Sequence, residues 1–405
     1  MPKLSAPGGG RTTTVDSTGQ AGPSTASGAL PRLARLPYRN ELLALLAIVL
    51  AVQLIGDKLT KGVYIQGVFN GAALALTAIP IVLIYRASKF VNFAQLALAN
   101  IVGTLFIALV QGQFFLNTAR SACGCIAEEP GGLARNINFV LAAVVAIAIA
   151  GLVSWAGYMS ILQRFKRSPR IMLTLVTIFA GQALVGFEQP IEQFLLPDKD
   201  SNPDKFAAVA QRTTQPPGNF NWEIDPLASM RLGHLILILV TLATVIGLSV
   251  YLKRSSTGIA IRAAAENPSR AQTLGVDVMA VTSRVWLLAG VLAGVVGVVD
   301  AFGRTVESEA GVSTIPATTL AVLLAVAVTA RFHNLAMAGL AAVVFSVLRL
   351  AVQFAYASTA PLDAVLVFII GGLLLLQRPT GSRVERDDTA GEEVTREVRP
   401  IPREL

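Results

Sequence analysis

The sequence predicts an all-α fold, a polytopic bundle of about ten transmembrane helices with a disordered N-terminal tail. Two observations support this fold class. Of the 405 residues, 53% are hydrophobic and only 14% are charged, whereas an average soluble domain carries roughly 25% charged residues. The apolar residues also form long runs that lack the alternation of membrane barrel strands. Because lipid satisfies no backbone polar group, such runs are expected to be helical.

Residues 1–36 are predicted to be a disordered cytoplasmic tail. Residues 1–30 are rich in Gly, Ser, Thr, Ala and Pro, and this composition buries too little apolar surface to offset the entropy of the chain. The first apolar stretch begins near Leu42 and has no small-residue cleavage site directly after it, which is unlike a secretory signal peptide. We therefore expect the tail to remain attached.

The membrane domain is predicted to extend over residues 37–377. A helix needs roughly 17–25 apolar residues to cross the hydrocarbon core of a bilayer, and ten segments come close to that length. The predicted spans are 39–57, 64–85, 92–111, 137–162, 171–188, 233–252, 284–302, 315–331, 334–354 and 361–377. Residues 378–405 are charged and poor in apolar side chains, which predicts a solvated cytoplasmic tail.

The distribution of basic residues predicts the orientation of these spans. Cytoplasmic flanks are enriched in Lys and Arg, and Arg32, Arg35 and Arg39 precede the first span. With both termini inside, the cytoplasmic segments hold 23 of the 33 Lys and Arg residues. The longest external loop, 189–232, carries six acidic residues against four basic ones. The chain is thus expected to be a multi-pass protein of the inner cell membrane, with surface helices or a small subdomain in this loop.

Several other functional classes find little support in the sequence. The net charge of +8 would suggest nucleic-acid binding in a soluble protein, but here the basic residues lie between apolar segments, as topology requires. Cys123 and Cys125 with the distant His234 and His333 do not form a four-ligand zinc set. No Gly-x-x-x-x-Gly-Lys-Ser/Thr motif and no nucleophile with its base is found. We therefore expect neither a metal, a cofactor nor a catalytic residue, and the chain is not expected to be an enzyme.

Polar side chains within the predicted spans are the first functional candidates. They are costly in lipid and usually face the bundle interior or a wet path. The candidates to line a path are Asn70, Thr77, Asn92, Gln95, Asn100 and Thr104. A hydrogen bond to a neighbouring helix is the alternative for each of them. The segment 67–78 also carries small residues at helical spacing, which allows helix backbones to approach closely.

The ends of two spans carry ionisable side chains. Asp300, Arg304, Glu307 and Glu309 cluster at the outer end of the seventh span, where hydration of the surface is favoured over contact with a binding protein. Arg349 is interpreted as reaching the membrane interface with its long side chain, without a functional role.

The loop 253–284 is the second functional candidate. Residues 258–266 predict a short Ala-rich helix. Pro268 ends it, because proline disfavours the helical conformation in the residue before it, and Ser269 can cap the next turn. We therefore expect two short helices with a bend. The alternative is a basic amphipathic helix that rests on anionic lipid.

These segments resemble the LivH-type permease subunits of branched-chain amino acid ABC importers. In that family a short turn after the second helix precedes an Asn-Phe-Ala-His-Gly motif, and this chain has Asn92-Phe93-Ala94 followed by Gln95 and Leu96. The loop 258–276 is similar to the coupling loop, with its pattern Gly-x-Ala-x-Arg-Ala and then Ala-x-x-Leu-Gly-Val. The resemblance covers 63–305 well and 315–377 loosely. The usual glycine-rich loop near the eighth helix is replaced by Thr329–Asn334.

The resemblance implies an ABC importer with several partners. They are a second permease subunit, two cytoplasmic ATP-binding subunits, an external solute-binding protein and membrane lipid. The residues implied in ATPase coupling are Gly258, Arg262, Ala265, Glu266, Ala271, Leu274 and Gly275. Leucine, isoleucine or valine are the implied substrates, and urea or short amides are the alternative.

Two further alternatives remain open on the sequence. An ion-coupled secondary transporter usually holds ionisable groups in mid-span, and almost none occur here. A non-transporting membrane anchor would tolerate changes at Gly275 and Ala265.

Overall fold

A computed structural model describes residues 39–55, 59–123, 131–165, 168–196, 214–218, 220–225, 228–302, 317–356 and 371–372. The helices are α1 (Arg39–Ile55), α2 (Lys61–Ser88), α3 (Ala94–Gln111), α4 (Phe114–Cys123), α5 (Gly132–Gly157), α6 (Arg170–Val185), α7 (Glu188–Leu195), α8 (Leu232–Arg254), α9 (Ser256–Glu266), α10 (Pro268–Thr273), α11 (Val278–Asp300), α12 (Ala317–Thr329) and α13 (Leu335–Tyr356). A π-helical turn, Tyr158–Leu162, continues α5. The strands β1 (Asn221–Asp225) and β2 (Ala228–Arg231) form an antiparallel hairpin.

The predicted all-α membrane bundle is confirmed. Among the residues that the structure describes, six helices are long and apolar enough to cross a bilayer, namely α2, α3, α5 with its continuation, α8, α11 and α13. Shorter apolar helices lie within α1, α6 and α12. Nine of the ten predicted spans therefore coincide with apolar helices of the structure. The tenth, 361–377, lies outside the described residues except for 371–372, so the count of ten remains a prediction.

Small residues bring α2 and α13 into close contact. A Cβ atom placed on Gly67 would lie 2.7 Å from the Val347 side chain. One placed on Gly71 would lie 2.6 Å from the Val343 backbone. Both distances are shorter than van der Waals contact, so only glycine allows this crossing. The predicted role of the small residues in 67–78 is thereby confirmed.

The helix α11 lies at the centre of the bundle and packs on α2, α3 and α5. Its glycines allow the approach to α5, because a Cβ on Gly290 would lie 2.6 Å from the Ala150 carbonyl oxygen. A Cβ on Gly294 would lie 2.8 Å from the Cα atom of Ile147. Gly297 faces the Ala99 backbone of α3 in the same way. In lipid, such close packing replaces the hydrophobic effect as the force that holds helices together.

The loop 253–284 folds as the two short helices that the sequence predicts, α9 and α10. The Ser255 side chain accepts a hydrogen bond from the Gly258 N–H at 2.8 Å and caps α9. The predicted cap of the second helix is wrong, because Asn267 and not Ser269 accepts the Arg270 N–H, at 2.9 Å. Pro268 then occupies the first helical position, where its missing N–H has no intrahelical partner to lose.

Two structural elements lie in the loop 189–232, which was expected to hold surface helices or a small subdomain. They are most of α7 and the hairpin, in which Trp222 pairs with Met230. The hairpin precedes α8, and α9 follows α8. We therefore call the two ends of the bundle the hairpin end and the loop end.

Candidate functional site

A central cavity of about 390 Å³ lies between α2, α3, α11, α12 and α13. Its size falls within the range of roughly 300–1,000 Å³ that is typical of small-molecule sites. Polar side chains on its wall are Asn70, Thr77, Asn100, Asp300, Thr319, Ser346, Arg349 and Gln353. Apolar side chains such as Leu96, Val322 and Leu323 complete the wall.

Three of the six predicted path residues lie on this wall. Asn70 is exposed and accepts a hydrogen bond from the Gln66 amide at 3.3 Å. Thr77 is half-buried and donates its hydroxyl to the Ala73 carbonyl at 2.9 Å. Asn100 is also half-buried and comes from the neighbouring helix α3. The structure thus brings together residues of α2 and α3 at one cavity.

The other three predicted residues, Asn92, Gln95 and Thr104, are packed between helices. Gln95 is 2% exposed and donates to the Ala289 carbonyl at 2.6 Å, while its carbonyl oxygen accepts from Asn92 at 3.3 Å. Thr104 donates to the Asn100 carbonyl at 3.4 Å. Asn92 and Gln95 border a separate apolar cavity of about 210 Å³ beside α5 and α6. The contacts of Gln95 tie the start of α3 to α11.

Two charged residues, Asp300 and Arg349, also lie on the cavity wall. The sequence predicted them at the protein surface and at the membrane interface, respectively. Asp300 is the last residue of α11, and Arg349 lies within α13. A signal existed in the sequence, because Asp300 follows Gly297 by three residues and therefore shares its helix face. Arg304, Glu307 and Glu309 lie outside the described residues.

A second cavity of about 360 Å³ adjoins the central one at the hairpin end. Both cavities are bordered by Asn70, Ala73 and Asp300. The second cavity is completed by Phe220 and Asn221 near the hairpin, by Arg231, and by His234, whose ring stacks on Phe69 with centroids 4.4 Å apart. The shared residues indicate one route from the hairpin end to the central cavity.

The central cavity narrows towards the loop end. There Leu96 and Leu323 also border an apolar pocket of only about 10 Å³, together with Phe93, Leu324 and Phe332. Phe332 stacks on Tyr85, the centroids being 4.0 Å apart. A volume of this size holds at most about one water molecule, so the side chains that the structure describes leave no open path at the loop end.

An ion pair holds the turn that carries Phe332. The Arg331 guanidinium lies 2.5 Å from the Glu41 carboxylate, whose side chain is 1% exposed. Arg331 and Phe332 both have left-handed backbone angles, with φ of 49° and 54°. Such angles cost non-glycine residues of order 1–3 kcal/mol each. The ion pair and the ring stack hold these two non-glycine residues in place.

The two loop helices contact the helices that form the central cavity. The helix α9 packs on α2, α8 and α11, and α10 packs on α9 and α11. Gly258 is buried, and a Cβ on it would lie 2.7 Å from the Cα atom of Leu252. The helix α9 therefore contacts both α2 and α11 at the loop end. Their other halves carry Asn70 and Asp300 on the cavity wall.

The implied coupling residues divide into two faces of the loop. Gly258, Ala265 and Ala271 are buried against the bundle. Arg262 and Glu266 are exposed, and the Arg262 guanidinium donates to the Lys253 carbonyl at 3.3 Å. Leu274 is 78% exposed, and Gly275 beside it adopts a left-handed φ of 84° in open space. The loop therefore presents an apolar side chain to the surroundings on a turn that requires glycine.

Comparison with known proteins assigns the chain to a family. The family model described as the permease component of the branched-chain amino acid transport system matches residues 63–377. The chain belongs to this family. Its members are transport subunits, and together with the apolar helices this makes the chain a multi-pass membrane protein.

One curated relative within this permease family is described as a probable branched-chain amino acid transport permease protein LivH. It comes from Methanocaldococcus jannaschii and is 28% identical over 225 residues. The match covers 55% of this chain and 61% of the relative, so the chain spans less than two thirds of the relative's length. No solved structure matches the chain significantly. Within the described residues, no group of three His, Cys, Asp or Glu side chains is placed to hold a metal ion.

Proposed function

We propose that the chain is the membrane-spanning permease subunit of an ABC importer for branched-chain or related amino acids. A solute-binding protein delivers the substrate at the hairpin end, and separate ATPase subunits act at the loop end. A second permease subunit completes the pathway. The observation that carries the proposal is the packing of α9 on both α2 and α11, which form the wall of the central cavity.

The orientation of the chain forms part of this proposal. The loop end, with both termini, lies in the cytoplasm, and the hairpin end faces outward. This agrees with the excess of Lys and Arg in the segments assigned to the inside. Residues 1–36 and 378–405 are then cytoplasmic tails of the membrane domain 37–377.

The proposed transport cycle alternates access to the central cavity. In the described conformation the cavity adjoins the route to the hairpin end and is closed at the loop end by Phe332 and its neighbours. ATPase subunits bind the exposed face of α9 and α10 and move these two helices as a rigid body. Because α9 packs on α2 and α11, this movement changes the wall that closes the loop end.

The ATPase contact is tested by placing a charge on the exposed face of the loop. Leu274→Asp in the full-length chain, co-expressed with ATPase subunits encoded in the same genome, is expected to abolish co-purification of the ATPase and uptake of L-leucine. The membrane level of the chain should stay normal, because Leu274 is 78% exposed. The matched control is Phe194→Asp on α7, where an 83% exposed apolar side chain lies away from the loop.

Two results would contradict the proposed function. Undiminished uptake by the Leu274→Asp variant would show that the loop transmits nothing. Uptake that stops with a protonophore while cellular ATP is intact would instead identify an ion-coupled secondary transporter.

A further inference from the structure

We propose that the central cavity recognises its solute through two opposite charges, with Arg349 binding a carboxylate and Asp300 binding an ammonium group. The inference rests on the proposed function and narrows it. A solute with both charges, the zwitterion of an α-amino acid, is selected over urea and short amides, which carry neither.

The position of the two residues along their helices supports this assignment. Arg349 lies seven residues before the end of α13 at Tyr356, which corresponds to about 10 Å along the helix axis. In a helix the Cα–Cβ bond tilts towards the N-terminus, and for both α13 and α11 this direction leads away from the hairpin end. The side chains of Arg349 and Asp300 therefore start towards the cavity and not towards the membrane interface.

The chemistry of Arg349 fits a carboxylate. Charged side chains within membrane helices are costly and usually face a wet interior or a partner. The guanidinium of Arg349 makes no hydrogen bond or ion pair with any residue that the structure describes, although it is only half exposed. Its planar fork of N–H groups matches the two oxygens of a carboxylate.

The rest of the cavity is divided as an amphipathic amino acid requires. Asp300, Arg349 and Gln353 lie at its hairpin end, with the amide of Asn70 beside Asp300 on the border to the second cavity. Leu96 and Leu323 lie at its loop end, where they also border the apolar pocket. A zwitterion with an apolar side chain thus binds with its charges outward and its side chain towards the loop end.

The charges also favour a zwitterion over related solutes. A solute with one charge pairs with either Arg349 or Asp300 and gains the Coulomb attraction of one charge pair, whereas a zwitterion gains the attraction of two. A neutral amide displaces water from both groups and returns hydrogen bonds in which only the protein partner is charged, so the Coulomb attraction between opposite charges is missing.

Thermal unfolding of the purified full-length chain tests the inference without any partner. A ligand that binds the folded state raises the Tm with its concentration. We expect L-leucine to act at concentrations at least tenfold lower than leucinamide, which lacks the carboxylate, or 4-methylpentanoate, which lacks the ammonium group. Urea should produce no shift. The inference fails if urea or leucinamide equals L-leucine in potency, or if L-leucine produces no shift at any soluble concentration.

Two variants assign the charges to their residues. Arg349→Gln is expected to raise at least tenfold the concentration of L-leucine that is needed for a given Tm shift. The concentration of leucinamide needed for the same shift should not change. Asp300→Asn should weaken the binding of L-leucine by a similar factor and leave the binding of 4-methylpentanoate unchanged. The matched control is Arg135→Gln, which removes an exposed guanidinium of α5 outside the cavity and should alter neither ligand. If Arg349 had a purely structural role, Arg349→Gln would instead weaken the binding of L-leucine and of leucinamide by the same factor.

The test remains decisive if Arg349→Gln does not fold. Arg349→Lys keeps the positive charge and is expected to lose less of its L-leucine binding than Arg349→Gln. The comparison of ligands on the unmodified chain needs no variant at all. Because the measurement contains neither ATPase nor binding protein, its failure leaves the proposed coupling untouched. Conversely, a failure of the Leu274→Asp experiment leaves the ligand series unaffected.

Discussion

Polar side chains in the apolar helices have different roles according to what surrounds them. Asn70, Thr77 and Asn100 border the central cavity. Gln95 satisfies a carbonyl of α11 and is 2% exposed, so its amide takes part in helix packing. Residue type alone therefore does not separate a residue of the path from a residue that fastens two helices, because either role satisfies the polar group in lipid.

Glycines show the same dependence on surroundings, and a matched pair tests it. Gly71→Ala places a Cβ 2.6 Å from the Val343 backbone, whereas Gly247→Ala on α8 meets nothing within 4 Å. We predict that Gly71→Ala destabilises the purified chain by about 1–3 kcal/mol through overpacking. Gly247→Ala should be neutral or stabilising by up to about 1 kcal/mol through helix propensity. Thermal unfolding in detergent measures both, and equal Tm values would contradict the close packing of α2 on α13.

Lys89, in the turn after α2, provides a pH-dependent prediction. Burial lowers the pKa of its ammonium group, and the charges of Arg86 and Arg170 lower this pKa further. Because the folded-state pKa lies below the unfolded value of 10.5, the charged form opposes folding at neutral pH. That cost decreases once the pH rises above the folded-state pKa.

We predict that Lys89→Asn raises the Tm by a few degrees near neutral pH. Asparagine also tolerates the left-handed φ of 59° at this position. The gain should shrink as the pH rises from the folded-state pKa towards 10.5 and vanish above that value, where the lysine is neutral in both states. The control is Lys253→Asn on the exposed end of α8, which removes a solvated ammonium group and should not raise the Tm. A gain that grows with pH would contradict the interpretation.

Single elements of the bundle are held by a few specific contacts. The turn between α12 and α13 keeps two non-glycine residues in the left-handed region, and its Arg331 pairs with Glu41 of α1. The second Glu41 carboxylate oxygen is buried without a hydrogen-bond partner among the described residues. The turn thus contacts α1 through Arg331 and α2 through the stacking of Phe332 on Tyr85, at the closed end of the route.

A double-mutant cycle tests this link. We predict that Arg331→Gln destabilises the chain by roughly 1–3 kcal/mol, because it leaves the buried Glu41 carboxylate without its cation. The double variant Glu41→Gln with Arg331→Gln should recover part of this loss, since two amides can share a hydrogen bond. Unfolding free energies of the four proteins give the coupling energy, and strictly additive effects would show that the two side chains do not interact.

At the scale of the whole molecule, the proposed mechanism requires α9 and the hairpin to lie on opposite sides of the membrane. They lie at opposite ends of α8, a 23-residue helix long enough to cross a bilayer. The packing of α9 on α2 and α11 connects the surface of the loop 253–284 to a cavity that adjoins the route to the hairpin end.

Cysteine labelling in intact cells tests this orientation. In a chain with Cys123→Ser and Cys125→Ser, a cysteine introduced by Ser269→Cys on α10 is expected to resist a membrane-impermeant maleimide until the cells are opened. A cysteine introduced by Asn221→Cys in the hairpin should react from outside, and both positions are exposed. Labelling of the Ser269→Cys variant from outside would place the loop on the wrong side for an ATPase.

Much of this architecture was predictable from the amino-acid sequence alone. The hydropathy and length of a segment are local properties, so nine predicted spans coincide with helices of the structure. The loop pattern from Gly258 to Val276 predicted both short helices and the family. Only the cap of α10 differed, because Asn267 stands where its side chain reaches the Arg270 N–H.

The tertiary structure alone decided which side chains meet. The rotation of each membrane helix depends on its neighbours, and the apolar faces of these helices differ too little to reveal it from sequence. Asn92 and Gln95 therefore turned out to fasten α3, whereas Asp300 and Arg349, remote in the chain, border one cavity. Lipid determines that these segments are helical, and close packing at glycines determines which of their faces enclose the route.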